Sequence, residues 1–260
     1  MATTAEDQAT AVYIYGIVPG DVELTEDARG LGEREVRLVR HGDIAALVSD
    51  IEVRDAIGRP EDLTAHEELL DATALEAPVL PFRFGAVMTD QDAVAEELLA
   101  PNHDAFASAL EELEGRTEYV VKVRFSEQRL LKEVVSENSE AAELRDTIRD
   151  TDEAGTRDAR IRLGEIIQQE IEERRGQEVR ALVEELGDLA VAHAELAPTH
   201  EYEAANVAFL VESSAQDDFT DAVEDIAADH GDRLSFRLLG PLAPYDFVVA
   251  KGTEEGDGSS

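Results

Sequence analysis

The run Val12-Tyr-Ile-Tyr-Gly-Ile-Val18, closed by Pro19-Gly20, sets the first constraint on the fold. β-Branched and aromatic side chains suit a pleated surface and Pro-Gly ends a ladder, so the run is a β-strand. Tyr13 and Tyr15 fall on one face and Val12 and Ile14 on the other.

The segments that follow extend this start into a mixed fold. Val36–Arg40 and Ile44–Ser49 flank His41-Gly42-Asp43, the pattern of a β-hairpin. Pro60 is suited to the first turn of a helix through about Leu75, with Glu61 and Asp62 at its positive end, and Leu63, His66, Leu70 and Thr73 share one face. Val79-Leu-Pro-Phe-Arg-Phe-Gly85 holds Pro81 and follows Pro78, which argues for an edge or an irregular crossing. Asp90–Leu99 and Asn102–Leu113 read as two helices separated by Pro101, leading into the strand Glu118–Phe125. Strands with helices on one face make an α+β domain over residues 1–125.

From Ser126 the pattern becomes helical and highly charged, with apolar stripes at Leu131, Val134, Ala141, Leu144 and Ile148, then Leu163, Ile167 and Ile171, then Val179, Leu182, Leu186 and Leu189. Arg174-Arg-Gly176 is expected to interrupt it, giving a helical hairpin or arm over about 126–197. Strands at 203–211, 234–239 and 247–250 around a helix at about 215–230 complete a βαββ core, so the second domain spans 126–250. Residues 251–260 have nothing to bury and read as a disordered acidic tail. Both halves carry a βαβ-type core, which suggests a distant structural relationship between them.

Charge limits the partners. Sixty acidic against 23 basic residues leave a net charge of −37, spread along the whole chain, which repels nucleic acid and anionic membrane. Only Lys122, Lys132 and Lys251 are lysines. A carboxylate-rich, Lys-poor surface reads as adaptation to molar salt, where self-repulsion is screened to a few ångströms. The opening Met1-Ala-Thr-Thr-Ala-Glu-Asp-Gln has neither the basic start nor the apolar run of a signal peptide, and a cytoplasmic location is expected.

Chemistry-bearing motifs are sparse. Cysteine is absent, which excludes disulfides, thiolate metal sites and cysteine nucleophiles. His66-Glu67-Glu68-Leu69-Leu70 starts like a zinc-protease helix, but Leu70 stands where the second histidine ligand belongs. His66 itself lies on the apolar stripe, so a hydrogen-bonded core histidine is favoured over a general base. The other histidines form no i, i+3 or i, i+4 pair. Gly30-Leu-Gly32 lacks a preceding strand and a third glycine, and no phosphate loop exists. No cofactor and no metal are expected, and no enzyme activity.

Five segments together carry a family resemblance. Tyr13-Ile-Tyr-Gly-Ile-Val18, His66 ahead of Leu69-Leu70, Val79-Leu-Pro-Phe-Arg-Phe-Gly85, Asn206-Val-Ala-Phe-Leu-Val211 and Gly240-Pro-Leu-Ala-Pro-Tyr-Asp-Phe-Val248 resemble, in order, the signature blocks of the gas vesicle protein F/L family (GvpF/GvpL). Leu242-Ala243 departs from the pattern, where the family commonly has an aromatic residue and a further proline.

The resemblance implies a ferredoxin-like N-terminal domain and an α+β C-terminal domain with a related core. It also implies an accessory or minor structural protein of gas vesicle assembly, located in the cytoplasm and at the gas vesicle. Its partners would be the apolar shell protein (GvpA) and other accessory gas vesicle proteins, which it would nucleate or chaperone. The long helical insert and extended ends favour an L-type member, and the acidic, Lys-poor surface fits a halophilic archaeal source.

Candidate partner-binding residues are Tyr13, Tyr15, Phe82, Arg83, Phe84, Tyr245 and Phe247, with the helical arm as a further surface. Arg83, between two phenylalanines and expected to point opposite to them, suits a structural ion pair more than an anion site. The alternative is a small-molecule enzyme or sensor on a ferredoxin-like sheet, which a deep pocket enclosing His66 and Arg83 would favour.

Overall fold

The computed structural model describes residues 10–25, 28–52, 57–152 and 155–248. The N-terminal octapeptide and the 251–260 tail lie outside them. The chain divides into two units, one running to Glu118 and resuming from Pro241, the other Tyr119–Gly240. The final segment therefore belongs with the N-terminal unit.

The first unit is built on an antiparallel sheet of β1 (Thr10–Pro19), β2 (Arg37–His41), β3 (Ile44–Glu52), β4 (Leu80–Pro81) and β5 (Val87–Met88). The order is β2-β3-β1-β4, with β5 also on β1. The hairpin turns on Gly42 at φ +62°, a conformation that favours glycine. Pro81 holds β4 to two residues at the sheet's edge, as its missing N–H requires.

β1 carries a bulge between Ile14 and Gly16. The extra residue shifts the alternation, so Ala11, Tyr13, Tyr15 and Val18 join one cluster with Leu47, Leu70 and Val79. Val12, Ile14 and Ile17 alternate with them and are equally buried. Helix α1 (Pro60–Glu76) covers the tyrosine face. The other face meets a long helix made of α2 (Gln91–Ala93), a π-helical segment (Val94–Leu99) and α3 (Ala100–Leu113). Helices thus lie on both faces, where the element order suggested one.

Two local expectations about helices are refined. α1 begins at Pro60 as anticipated, and Asp62 Oδ2 accepts the N–H groups of Gly58 and Arg59 at 3.1 and 3.0 Å. Pro101, by contrast, does not separate two helices. The preceding turn widens, with the Ala100 N–H bonding Ala95 O, and the proline sits in the first turn of α3, where its missing donor is harmless.

The second unit takes most of β6 (Arg116–Phe125), then α4 (Glu127–Glu137), α5 (Ser139–Asp150), α6 (Arg157–Leu186), β7 (Ala192–Glu195), β8 (Glu203–Glu212), α7 (Gln216–His230) and most of β9 (Leu234–Leu242). Its sheet order is β7-β8-β6-β9. Counted from their own first strands, both sheets run second-third-first-fourth. The second unit follows the βαββαβ plan in full, whereas a loop with one short helical turn at Leu31–Glu33 replaces the first helix in the N-terminal unit.

The helical region supplies core rather than projecting from it. α6 runs unbroken through Arg174-Arg175-Gly176 and packs on β8. Ile166, Ile171, Leu182 and Leu186 join Leu130 and Val134 of α4, Phe209 of β8 and Phe219 of α7 in one buried cluster. Arg174 stays in the helix because Glu133 and Glu137 of α4 take its guanidinium at 2.7 and 2.8 Å. The expected strand at 247–250 is corrected: α8 (Tyr245–Val248) is a short helical turn, because the Tyr245 and Phe247 N–H groups bond back to Ala243 O and Pro244 O. Positions 249–250 lie outside the described residues. Among the described residues no helix is long and apolar enough to cross a membrane.

Gly176 sits inside regular helix, and a Cβ there meets only the mobile end of Arg180, at 3.4 Å. Gly176→Ala should stabilise the protein by about 0.5–1 kcal/mol in urea unfolding, the gain of a mid-helix alanine over glycine. Gly16→Ala should do the reverse, since its Cβ would lie 2.7 Å from Leu80 O.

Candidate functional site

The side chains of four of the five family-like segments meet in the N-terminal unit around His66. Helical spacing puts His66 and Leu70 on the face of α1 turned to β1, and the strand's alternation delivers Tyr13 and Tyr15 to the same side. His66, Tyr13 and Tyr15 have essentially no exposed surface.

Both ring nitrogens of His66 are committed. Nε2 lies 3.0 Å from Phe82 O, a carbonyl that only accepts, so this nitrogen carries the proton. Nδ1 then accepts from the Tyr13 hydroxyl at 3.0 Å, and that hydroxyl itself accepts the Gly85 N–H at 3.1 Å. The result is a relay from Gly85 through Tyr13 and His66 to Phe82. Burial lowers the His66 pKa, which keeps the ring neutral as the relay requires. The Tyr13 hydroxyl is pushed up to about 12, chiefly by burial.

Tyr15 makes a second chain, donating to Ser49 Oγ at 3.1 Å and accepting the Leu31 N–H at 2.9 Å, while Ser49 donates to Glu35 O at 2.8 Å. The rings pack as well. Phe84 and Tyr245 centroids lie 5.7 and 6.4 Å from that of His66, and Tyr15 stacks on it at 5.6 Å.

The last family-like segment is held by carboxylates. Asp71 Oδ1 accepts the Ala243 N–H at 2.8 Å, and Glu118 Oε2 accepts the Asp246 N–H at 3.0 Å. Burial drives the Glu118 pKa up to about 8, the carboxylates of Asp246 and Asp71 push the same way, and the Asp246 N–H opposes them. Asp71 and Glu67 are also raised, mainly by burial. The Tyr245 hydroxyl sits in this acidic setting, buried and without a partner, and its pKa rises by burial and by the nearby Asp71 and Glu67.

The candidate partner residues take different places. Tyr13 and Tyr15 are internal, so the tyrosine face of β1 offers no surface to another protein. Phe84 turns toward His66 while Phe82 turns toward Phe106 of α3, with centroids 6.5 Å apart, because the run bends at Phe84-Gly85 instead of staying extended. Arg83 is exposed, and no ion pair to it is found among the described residues. Tyr245 and Phe247 are half-buried on α8.

Chemically, the arrangement is a brace. Both His66 nitrogens are bonded inside the protein and the ring has essentially no exposed surface, so the described contacts of His66 are structural. Among the described residues no cluster of ligands could hold a metal ion. Asp71, Ser49 and Glu118 were missed by sequence reasoning. Only Glu118 left a signal, a carboxylate directly ahead of the apolar run Tyr119-Val120-Val121.

Two predictions follow from these contacts. Tyr13→Phe should cost about 1–3 kcal/mol, because the Gly85 N–H and His66 Nδ1 lose their partner in a buried site. Glu118 and His66 should shape the pH profile in opposite ways. A carboxyl raised in the fold loses stability as pH climbs from the unfolded value near 4.5 through about 8, a loss on the order of a few kcal/mol that Glu118→Gln should abolish. A histidine lowered in the fold contributes fully above about 6.5 and loses stability as pH falls below that. Urea unfolding between pH 5 and 9 at fixed salt separates them; superimposable alkaline limbs for wild type and Glu118→Gln would refute the Glu118 assignment.

Comparison with known proteins places this architecture. The family described as gas vesicle synthesis protein GvpL/GvpF matches residues 11–249. Gas vesicle protein F of Streptomyces sp. (strain CB03234) is 31% identical over 242 residues, covering 92% of this chain and 99% of the relative. Gas vesicle protein L of the same strain is 32% identical over 258 residues, covering 91% and 92%. The crystal structure of gas vesicle protein GvpF from Anabaena sp. PCC7120 superposes with a TM-score of 0.76 at 25% identity, over 92% of this chain and 98% of that one. With the match running from the first strand to the final segment, the chain belongs to the GvpL/GvpF gas vesicle protein family.

Proposed function

We propose that this protein is an accessory, minor structural component of gas vesicle assembly that binds the apolar shell protein and other accessory gas vesicle proteins, nucleating or chaperoning the shell. The observation that carries this reading is family membership over nearly the whole chain. The conversion of its one suggestive histidine into a brace supports a role through contacts rather than turnover. A net charge of −37 supports it too, because a strongly charged chain keeps a complex with an apolar subunit in solution.

The Lys-poor, acidic composition supports a salt-adapted, halophilic source, and the proposed location is the cytoplasm and the gas vesicle. The L-type reading rests on the long charged helical region at about 126–197. Identity to the F and L relatives from one Streptomyces strain differs by a single percentage point, so function must decide the type.

Tagged protein purified in roughly molar salt, where exposed charges are screened within about 3 Å, should capture the shell protein and other accessory gas vesicle proteins. Capture of accessory proteins without the shell protein would make it a scaffold upstream of the shell. Capture of none would overturn the reading. Complementation of a vesicle-forming host lacking either its F-type or its L-type gene should restore vesicles in the L-type deletion.

A further inference from the structure

β7 (Ala192–Glu195) closes one side of the second unit's sheet, whose order is β7-β8-β6-β9. An edge strand keeps one row of backbone donors and acceptors free, and those groups recruit another strand unless something blunts them. Pro81 stands in β4 and Pro241 in β9, whereas β7 holds no proline.

Which groups are free follows from the ladder. β7 pairs antiparallel with β8, Ala192 against Leu210, His193 against Phe209, Ala194 against Ala208 and Glu195 against Val207. Leu196 continues the register by giving its N–H to Asn206 O at 2.8 Å. Antiparallel ladders bond at alternate residues, so Ala194 and Ala192 also turn their backbone groups to β8, and those of His193 and Glu195 turn away from it. Among the described residues nothing pairs with that outer side. The Val191 N–H also reaches Leu210 O, at 2.8 Å, which sets two residues against one and ends the regular edge there, and Pro198 ends it on the other side.

The side chains at the outward positions are complementary. His193 and Glu195 are both exposed and share one face of the strand, where the His193 ring centroid lies 6.3 Å from that of Phe209. A histidine donates to a carboxylate when neutral and pairs with it as a cation when protonated. His193-Ala194-Glu195 is therefore its own complement in reverse. An antiparallel second copy centred on Ala194 sets His193 against the partner's Glu195 and Glu195 against the partner's His193. The backbone selects the same register, because only residues with outward groups can form the hydrogen-bonded pairs. A shift of one residue would set outward groups against inward ones, and a shift of two would set two glutamates or two histidines face to face.

We propose that β7 is a homodimer interface: a second copy of this chain adds its own β7 antiparallel across a two-fold axis at Ala194, joining two four-stranded sheets into one of eight strands. Backbone bonds between residues 193 and 195 supply attraction, the His193–Glu195 pairs fix the register, and the two-fold axis closes the assembly at two copies. The interface rests on no part of the gas vesicle reading, since the partner is this chain itself.

The test uses the full chain in roughly molar salt, where repulsion between two chains of net charge −37 is screened within about 3 Å. Sedimentation equilibrium from micromolar to millimolar concentration should show a monomer–dimer equilibrium. His193→Glu sets like charges against each other in both pairs and should weaken the dimer roughly tenfold or more, and His193→Glu/Glu195→Lys, which restores a cation opposite a carboxylate, should recover it. His193→Pro removes only an outward donor, so a chain folded by circular dichroism should be monomeric. The absence of cysteine permits a direct test of register. At Ala194 the two Cα atoms would lie about 4.5 Å apart, within disulfide reach, whereas Ala192 and the partner's Ala192 would lie about 14 Å apart. With diamide as oxidant, Ala194→Cys should be captured as a covalent dimer and Ala192→Cys should not. The proposal is overturned if the wild type stays monomeric over that range, if folded His193→Pro or His193→Glu dimerises as the wild type does, if the charge-restored variant is no better than His193→Glu, or if the two cysteine variants are captured alike.

Discussion

The relay from the Gly85 N–H through Tyr13 and His66 to Phe82 O is the interaction on which the N-terminal unit depends. It ties the central strand, the covering helix and the irregular segment after β4 with three hydrogen bonds close to 3 Å, all in a buried site. In such surroundings a satisfied polar network specifies one arrangement, because any other leaves a donor or acceptor unpaired. Backbone bonds between Phe82 N–H and Tyr15 O and between Ile14 N–H and Ala86 O fix the two ends of the 82–86 segment on β1, and the relay fixes its middle.

The final segment is organised around the same core by a different force. Ala243 is fully buried, Tyr245 packs near His66, and carboxylates of Asp71 and Glu118 receive the backbone donors of 243 and 246. Burial, reinforced by the carboxylates of Asp246 and Asp71, raises the Glu118 pKa to about 8. Segments at opposite ends of the chain thus share one cluster, which explains why family-like residues at Tyr13, His66, Phe84 and Tyr245 lie so far apart in sequence.

The two units repeat one strand order with different dressing. In the second, three helices fill the first crossover and contribute apolar residues to the core, with Arg174 clamped between carboxylates of α4. In the first, the described part of that crossover holds one short helical turn at Leu31–Glu33.

Much of this was legible in the sequence, because it depends on local rules. The opening strand, the Gly42 hairpin, the Pro60 helix start, the edge character of Pro81 and the core role of His66 all follow from backbone geometry and hydrophobic period. The family-like segments could be recognised without knowing where they meet. Tertiary structure alone decided the rest. A bulge in β1 shifts which residues share a face, and a π-turn accommodates Pro101 inside a helix. Ion pairs from α4 carry α6 through Arg174-Arg175-Gly176, and the distant carboxylate of Glu118 anchors the helical turn at 245–248 through the Asp246 N–H. Tyr13 and Tyr15 read as a surface because a strand's own sequence shows two faces but not what covers them; that cover comes from other parts of the chain, Leu31 against Tyr15 and His66 of α1 against both.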